Sequence, residues 1–186
     1  MTSAVATVTD LSGTYVLDPA HTRVGFVARH AMVTKVRGQF NEVEGTAVVD
    51  GTDLTRSTVQ LTIQAASIDT RNEQRDGHLR SNDFLAMEEY PQITFVSTAV
   101  EQTGPTSFDV TGDLTIKGVT NSVTIPFEFE GAATDPFGNQ RVGFEGSVVI
   151  NRKDYGVTWN AALETGGVLV SEKITLEFEV SAIKAA

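Results

Sequence analysis

The chain has 186 residues, no cysteine, a formal charge of −10, 40% hydrophobic residues and 20% charged residues. That length fits one domain with a sizeable core, and the missing cysteines exclude disulfides and thiolate chemistry. The acidic balance argues against nucleic acid as a partner, because phosphates would be repelled over most of the surface.

No run approaches the roughly 18 apolar residues that cross a bilayer, so no integral membrane segment is expected and any membrane contact would be transient. Met1 to Asp10 has neither a basic start nor an apolar core of signal-peptide length. Residues 1–12 therefore read as a flexible tail, 13–186 as a single domain, and the cytoplasm as the default location.

Thr14 to Asp18 reads as a short strand stopped by Asp18-Pro19. Thr22 to Arg29 alternates, with Val24, Phe26 and Ala28 on one face. His30 to Val33 is a turn or a short helix, and Val36 to Asp50 reads as one long strand kinked at Gly38 or Gly45. Asp50-Gly51-Thr52-Asp53 turns the chain into Val59, Leu61, Ile63 and Ala65, which alternate with polar residues. From Pro19 to Asn41 there is no acidic residue, while Arg23, Arg29, Lys35 and Arg37 all fall there. It is a local cationic region on an acidic chain, or simply a solvated face.

Residues 67–96 interrupt the strand pattern. Thr70 and Glu73 have the spacing of a capping box, which predicts a helix from Arg71 to about Arg80, with Asp76 able to pair with Arg80. Arg71, Arg75 and His78 then share one face. A further turn from Asn82 to Met87 brings Phe84 and Leu85 inward, and Tyr90-Pro91 ends it. The expected result is a lid with a basic face across an open end of a sheet.

Beyond the lid, Ile93 and Phe95 resume the alternation, then Phe108, Val110, Gly112, Leu114 and Ile116 share a face. Lys117-Gly118 makes a tight hairpin into Val123, Ile125, Phe127 and Phe129. After the turn at Thr134 to Asn139 come Val142, Phe144, Gly146, Val148 and Ile150, then an irregular stretch to Gly166-Gly167. Ile174, Leu176, Phe178 and Val180 close the series. Eight or nine strands with short turns predict an all-β antiparallel fold. An eight-stranded barrel with a short helical insertion suits it best, since closure leaves no exposed edge. Ala65, Gly112 and Gly146 on inward phases suggest space inside, which such a barrel can leave for one small ligand.

Several stretches together resemble the YceI family. They are Leu17-Asp18-Pro19-Ala20-His21-Thr22, Phe26-Val27-Ala28-Arg29-His30, Gly38-Gln39-Phe40 and Ser67-Ile68-Asp69-Thr70. The pattern continues in Arg75-Asp76-Gly77-His78-Leu79-Arg80-Ser81, Tyr90-Pro91-Gln92-Ile93-Thr94-Phe95, Gly112 through Thr120, and Asn151-Arg152-Lys153-Asp154-Tyr155-Gly156. Gly77 departs from the bulkier residue usual there, and the export signal of many relatives is not seen.

The resemblance implies a lipocalin-like barrel that binds a polyisoprenoid, carrying or sequestering it, with no enzymatic activity and no cofactor beyond the bound lipid. It also implies a homodimer. Either a polyprenyl phosphate or pyrophosphate or an isoprenoid quinone would fit. On this reading Phe26, Phe40, Ile63, Phe84, Phe95, Phe108, Phe127, Phe129, Phe144 and Trp159 line a tunnel, and Arg29, Arg71, Arg75 and His78 receive the head group. Two other readings stay open. One is a hydrolase or isomerase on a lipid-like substrate, with Asp69, Asp76 and His78 beside a serine but no nucleophile elbow. The other is a filled-core stress-response interaction protein. No metal site is expected, because His21 and His30 would face opposite ways on one strand and no close-spaced ligand motif occurs.

Overall fold

The computed structural model describes residues 11–163 and 167–185. In chain order it forms β1 (Gly13–Leu17), β2 (Arg23–His30), β3 (Thr34–Phe40), β4 (Val43–Val49), β5 (Thr58–Gln64), β6 (Ile68–Asp69) and α1 (Glu73–Arg80). There follow β7 (Gln92–Gln102), β8 (Ser107–Ile116), β9 (Val119–Thr134), β10 (Gln140–Asn151) and β11 (Lys173–Lys184). All pairings are antiparallel, in the order β1-β4-β5-β7-β8-β9-β10-β11, and β11 returns to β1 to close an eight-stranded barrel.

Three of the barrel's staves are bent and continue as β2, β3 and β6. Pro19 interrupts the first, and Asp18 caps the short turn by accepting from the Ala20 N–H at 3.1 Å. The second breaks at Asn41-Glu42 rather than at Gly38 or Gly45, so the single long strand expected over 36–50 is two strands. The third breaks in a turn at Ala65–Ser67. Consequently β11 pairs with β1 along one half and with β2 along the other. The β9–β10 ladder ends at Phe127↔Gly146, beside Pro126, which has no N–H to give.

All the long connections fall at one end of the barrel, with α1; this is the helical end. Among the described residues the connections at the far end are short turns, at residues 50–57, 103–106 and 135–139. Of the flexible tail expected over 1–12, residues 1–10 lie outside the described residues, while Leu11 packs at this end, 5% exposed. Arg141 ties the far rim, 2.7 Å from both Asp18 Oδ2 and Asp135 Oδ2. That guanidinium holds the Asp135 carboxyl down at about 2 and lowers Asp18 as well.

The helix is shorter than the sequence pattern predicts and is capped differently. Asn72 is the N-cap, its Oδ1 accepting from the Arg75 N–H at 3.0 Å. Thr70 instead donates its N–H and hydroxyl to the buried Asp76 carboxylate. Asp76 is therefore not the partner of Arg80, which reaches the carbonyls of Ala66 and Ile68 at 2.8 and 3.1 Å.

Candidate functional site

Inward-facing residues from all eight staves enclose an apolar cavity of about 170 Å³ in the far half of the barrel. Tyr15, Ala47, Leu61, Phe95, Phe108, Phe127, Phe144 and Phe178 contribute one wall position from each strand. Leu11 and Leu54 approach from the rim. Among the described residues the wall contains no Asp, Glu, His, Lys or Arg. Its phenol is already committed: Tyr15 Oη donates to the Leu11 carbonyl at 3.0 Å, and burial pushes its pKa up.

The structure divides the expected tunnel residues into two groups. Phe95, Phe108, Phe127 and Phe144 stand in the cavity wall. Phe129 packs on Phe144 with ring centroids 5.3 Å apart. Ile63 lies in the main core cluster. Phe26 and Phe40 pair with each other at 5.8 Å. Phe84 and Trp159 pack together at 5.3 Å in the helical half, and His78 stacks edge-on against both.

The inward glycines do not leave the room their size suggests. A Cβ at Gly112 would sit 2.6 Å from the Phe95 ring, and one at Gly146 would sit 2.7 Å from the Phe127 ring. Phenylalanines from the neighbouring strands already occupy both positions. The void lies instead toward the far rim, beside residues that alternation alone did not single out: Tyr15, Leu17, Ala47, Leu54 and Ala182. The β1 and β4 phases carried this signal, but short strands with small side chains made it faint.

Of the expected head-group residues, Arg71, Arg75 and His78 belong to the helical insertion and Arg29 to the end of β2; none lines the cavity. Arg75 is occupied locally, donating to Thr70 Oγ1 at 2.7 Å and to the Thr70 carbonyl at 2.6 Å. His78 Nε2 lies 2.9 Å from Asp83 Oδ2. Asp69 accepts from the Arg71 N–H and from Asn41, which lowers its pKa. Ser81 Oγ donates to the His78 carbonyl, not to its ring. The serine, histidine and aspartates that could suggest a hydrolase are thus bound in separate hydrogen bonds. Among the described residues no group of three His, Asp or Glu side chains could hold a metal ion.

One polar anchor of the helical end was not foreseen. Arg152 is buried and donates to the carbonyls of Ser171, Val157 and Val170 at 2.8, 2.8 and 3.3 Å. Burial lowers its pKa. It pins the long β10–β11 connection beneath the barrel, with the buried Tyr155 beside it.

The family model described as "YceI-like domain" matches residues 15–182. A UPF0312 protein of Staphylococcus aureus strain MSSA476 is 40% identical over 169 residues, covering 90% of this chain and 95% of that protein. A relative from Staphylococcus epidermidis strain RP62A is 42% identical over 166 residues, 89% of this chain and 93% of its own length. Among solved structures, Burkholderia cenocepacia BcnA superposes with a TM-score of 0.78 at 26% identity, over 89% of this chain and 98% of that one. The Campylobacter jejuni YCEI protein gives 0.73 at 28% identity, over 85% and 90%. A polyisoprenoid binding domain from Saccharophagus degradans gives 0.71 over 92% and 98%, and at 16% identity it shares the fold.

Proposed function

The chain belongs to the YceI-like domain family, and from that membership and the far-half cavity we propose that it binds the isoprenoid tail of a lipid inside the barrel. The observation that carries this reading is a cavity wall drawn from all eight staves in which none of the described residues is charged. Such a wall rewards apolar burial, worth about 0.8 kcal/mol per CH₂, and among the described residues it sets no carboxylate, imidazole or amine beside its few hydroxyls to act as acid or base. The protein is accordingly a carrier or sequestering protein rather than an enzyme. The Saccharophagus degradans neighbour is named for polyisoprenoid binding, which supports this reading.

An apolar cavity of roughly 150 Å³ takes a molecule the size of benzene, so about 170 Å³ receives only the first part of a long tail. A longer tail displaces the rings of Phe127 and Phe178, which stand 5.9 Å apart at the inner limit of the void. A neutral head suits this site better than a phosphate, because Arg71, Arg75 and His78 lie toward the other end and at this rim Arg56 and Arg141 are already paired with aspartates. An isoprenoid quinone is therefore the favoured ligand over a polyprenyl phosphate.

Organic extraction of the purified protein followed by mass spectrometry tests the reading. A prenyl lipid in the extract, with stoichiometric re-binding of an isoprenoid quinone, is expected. An empty extract and no uptake of either a quinone or a polyprenyl phosphate would sink it. Charge reversal at Arg71 and Arg75 is expected to leave quinone uptake unchanged; selective loss of polyprenyl phosphate uptake would move the head group to the helical end.

A further inference from the structure

The hairpin joining β2 to β3 projects from the helical end and ends in apolar side chains. Met32 is 59% exposed and Val33 77% exposed. Ala31 and Met32 both adopt left-handed backbone angles, φ 51 and 65, and the turn is closed by the Val33 N–H donating to the His30 carbonyl at 3.2 Å. Two successive positive φ angles are what tight hairpins ask of Asn-Gly. In alanine and methionine they are strained. The chain thus holds a methionine at a tip where glycine would be easier.

Behind the tip is a basic collar. Arg29 lies directly opposite Lys35 across the ladder, and Arg37 is opposite Val27. Like charges facing each other across a strand pair are unfavourable. Among the described residues none of the three forms a salt bridge, whereas Arg23 at the other end of β2 meets Glu177 and Arg141 meets two aspartates. No acidic residue occurs between Pro19 and Asn41 in a chain of net charge −10. The hairpin is nevertheless firmly based: the Ala31 N–H donates to the Leu169 carbonyl at 2.7 Å, and the Ser171 N–H to the Arg29 carbonyl at 3.0 Å.

We propose that this hairpin docks the protein on an anionic lipid surface, Met32 and Val33 entering the head-group layer and Arg29, Lys35 and Arg37 pairing with lipid phosphates. Charge complementarity selects the partner, and the apolar tip distinguishes a bilayer from nucleic acid, which would engage the collar and leave Met32 and Val33 in water. The remaining negative charge does not prevent contact: Glu172, beside the base of the hairpin, is paired with Lys153 at 2.7 Å, and charge farther away than a Debye length of about 8 Å is screened. It sets orientation instead. Glu128, Glu145 and Glu179 lie directly opposite one another across β9, β10 and β11, away from the tip, and turn that wall from the membrane. The docking does not depend on what fills the cavity.

Co-sedimentation with vesicles free of isoprenoid, made either of phosphatidylglycerol and phosphatidylcholine or of phosphatidylcholine alone, tests this. The full chain is expected to bind the anionic vesicles in about 0.1 M salt and to release in about 1 M, where screening shortens to about 3 Å. K35E/R37E is expected to lose at least tenfold in partitioning, given the roughly fivefold worth of each basic residue near such a surface. A31N/M32G separates docking from folding, because it is expected to raise the melting temperature while lowering partitioning several-fold. Equal binding to both vesicle types, or wild-type partitioning by both variants, would overturn the proposal. So would binding to heparin or single-stranded DNA without binding to anionic vesicles. Quinone uptake in detergent, measured on the same variants, is expected to be unchanged, so failure here is distinguishable from failure of the cavity reading.

Discussion

In the far half of the barrel the eight staves enclose about 170 Å³ of apolar space; in the helical half Phe26, Phe40, Phe84, Tyr155 and Trp159 pack into the main core and its margins. The strands have the same inward alternation in both halves, so the wall pattern does not explain the difference. What differs is the material between strands. Residues 65–91, 152–163 and 167–172 fold at the helical end, bringing aromatic side chains and three arginines, Arg75, Arg80 and Arg152, that satisfy backbone carbonyls there. At the far end the connections among the described residues are the short turns at residues 50–57, 103–106 and 135–139. The lesson is that alternation specifies a wall, while the connections decide whether the space behind it is occupied.

The largest expected effect lies in the helical half. Arg152→Leu removes the donor to three carbonyls in a buried site and is expected to cost on the order of 3 kcal/mol, read as a lower urea midpoint; a loss near zero would mean the connection needs no polar anchor. Next comes a matched pair. Ala65→Leu, in the filled half at 1% exposure, is expected to cost about 1–3 kcal/mol by overpacking. Ala182→Leu, in the cavity wall, is expected to be neutral or stabilising by up to about 1 kcal/mol while reducing quinone uptake. Equal destabilisation by both would erase the distinction between the halves.

Acid sharpens the same contrast. With its carboxyl held at about 2 rather than the ordinary 3.8, Asp135 contributes stability that is present above about pH 3.8 and is lost as pH falls through about 2. Amide exchange is therefore expected to rise around residues 135–141 on acidification before it rises around Arg152, and Asp135→Asn is expected to flatten that acid limb. The smallest effect belongs to Gly77→Ala. A Cβ there meets nothing within 4 Å, so the helix is expected to gain up to about 1 kcal/mol, seen as a higher melting temperature with no change in quinone uptake.

The barrel was legible because its signal is redundant: Val59, Leu61 and Ile63 repeat on β5 what Val123, Ile125 and Phe127 repeat on β9. The helix cap was less so. Thr70 with Glu73 and Asn72 with Arg75 are both plausible local patterns, and the choice fell to Asp76, a tertiary partner that claimed Thr70. The cavity's position was hidden for a related reason. A glycine on an inward phase signals space only if no ring lies across from it, and rings of Phe95 and Phe127 lie across from Gly112 and Gly146. Arg152 carried no periodic signal at all, since an arginine after a strand reads as surface until the connection folds over it.

The last strand has an unusual burden. β11 borders β10, β1 and β2, and its Ser181 N–H meets the Thr22 hydroxyl across 159 positions of sequence. Until β11 arrives, three strand margins stand bare at once, each a template for another chain. Closure is then a late, long-range event, of the kind that makes folding slow and exposes intermediates to aggregation. A nascent chain lacking β11 would be a sticky open ribbon rather than a smaller barrel.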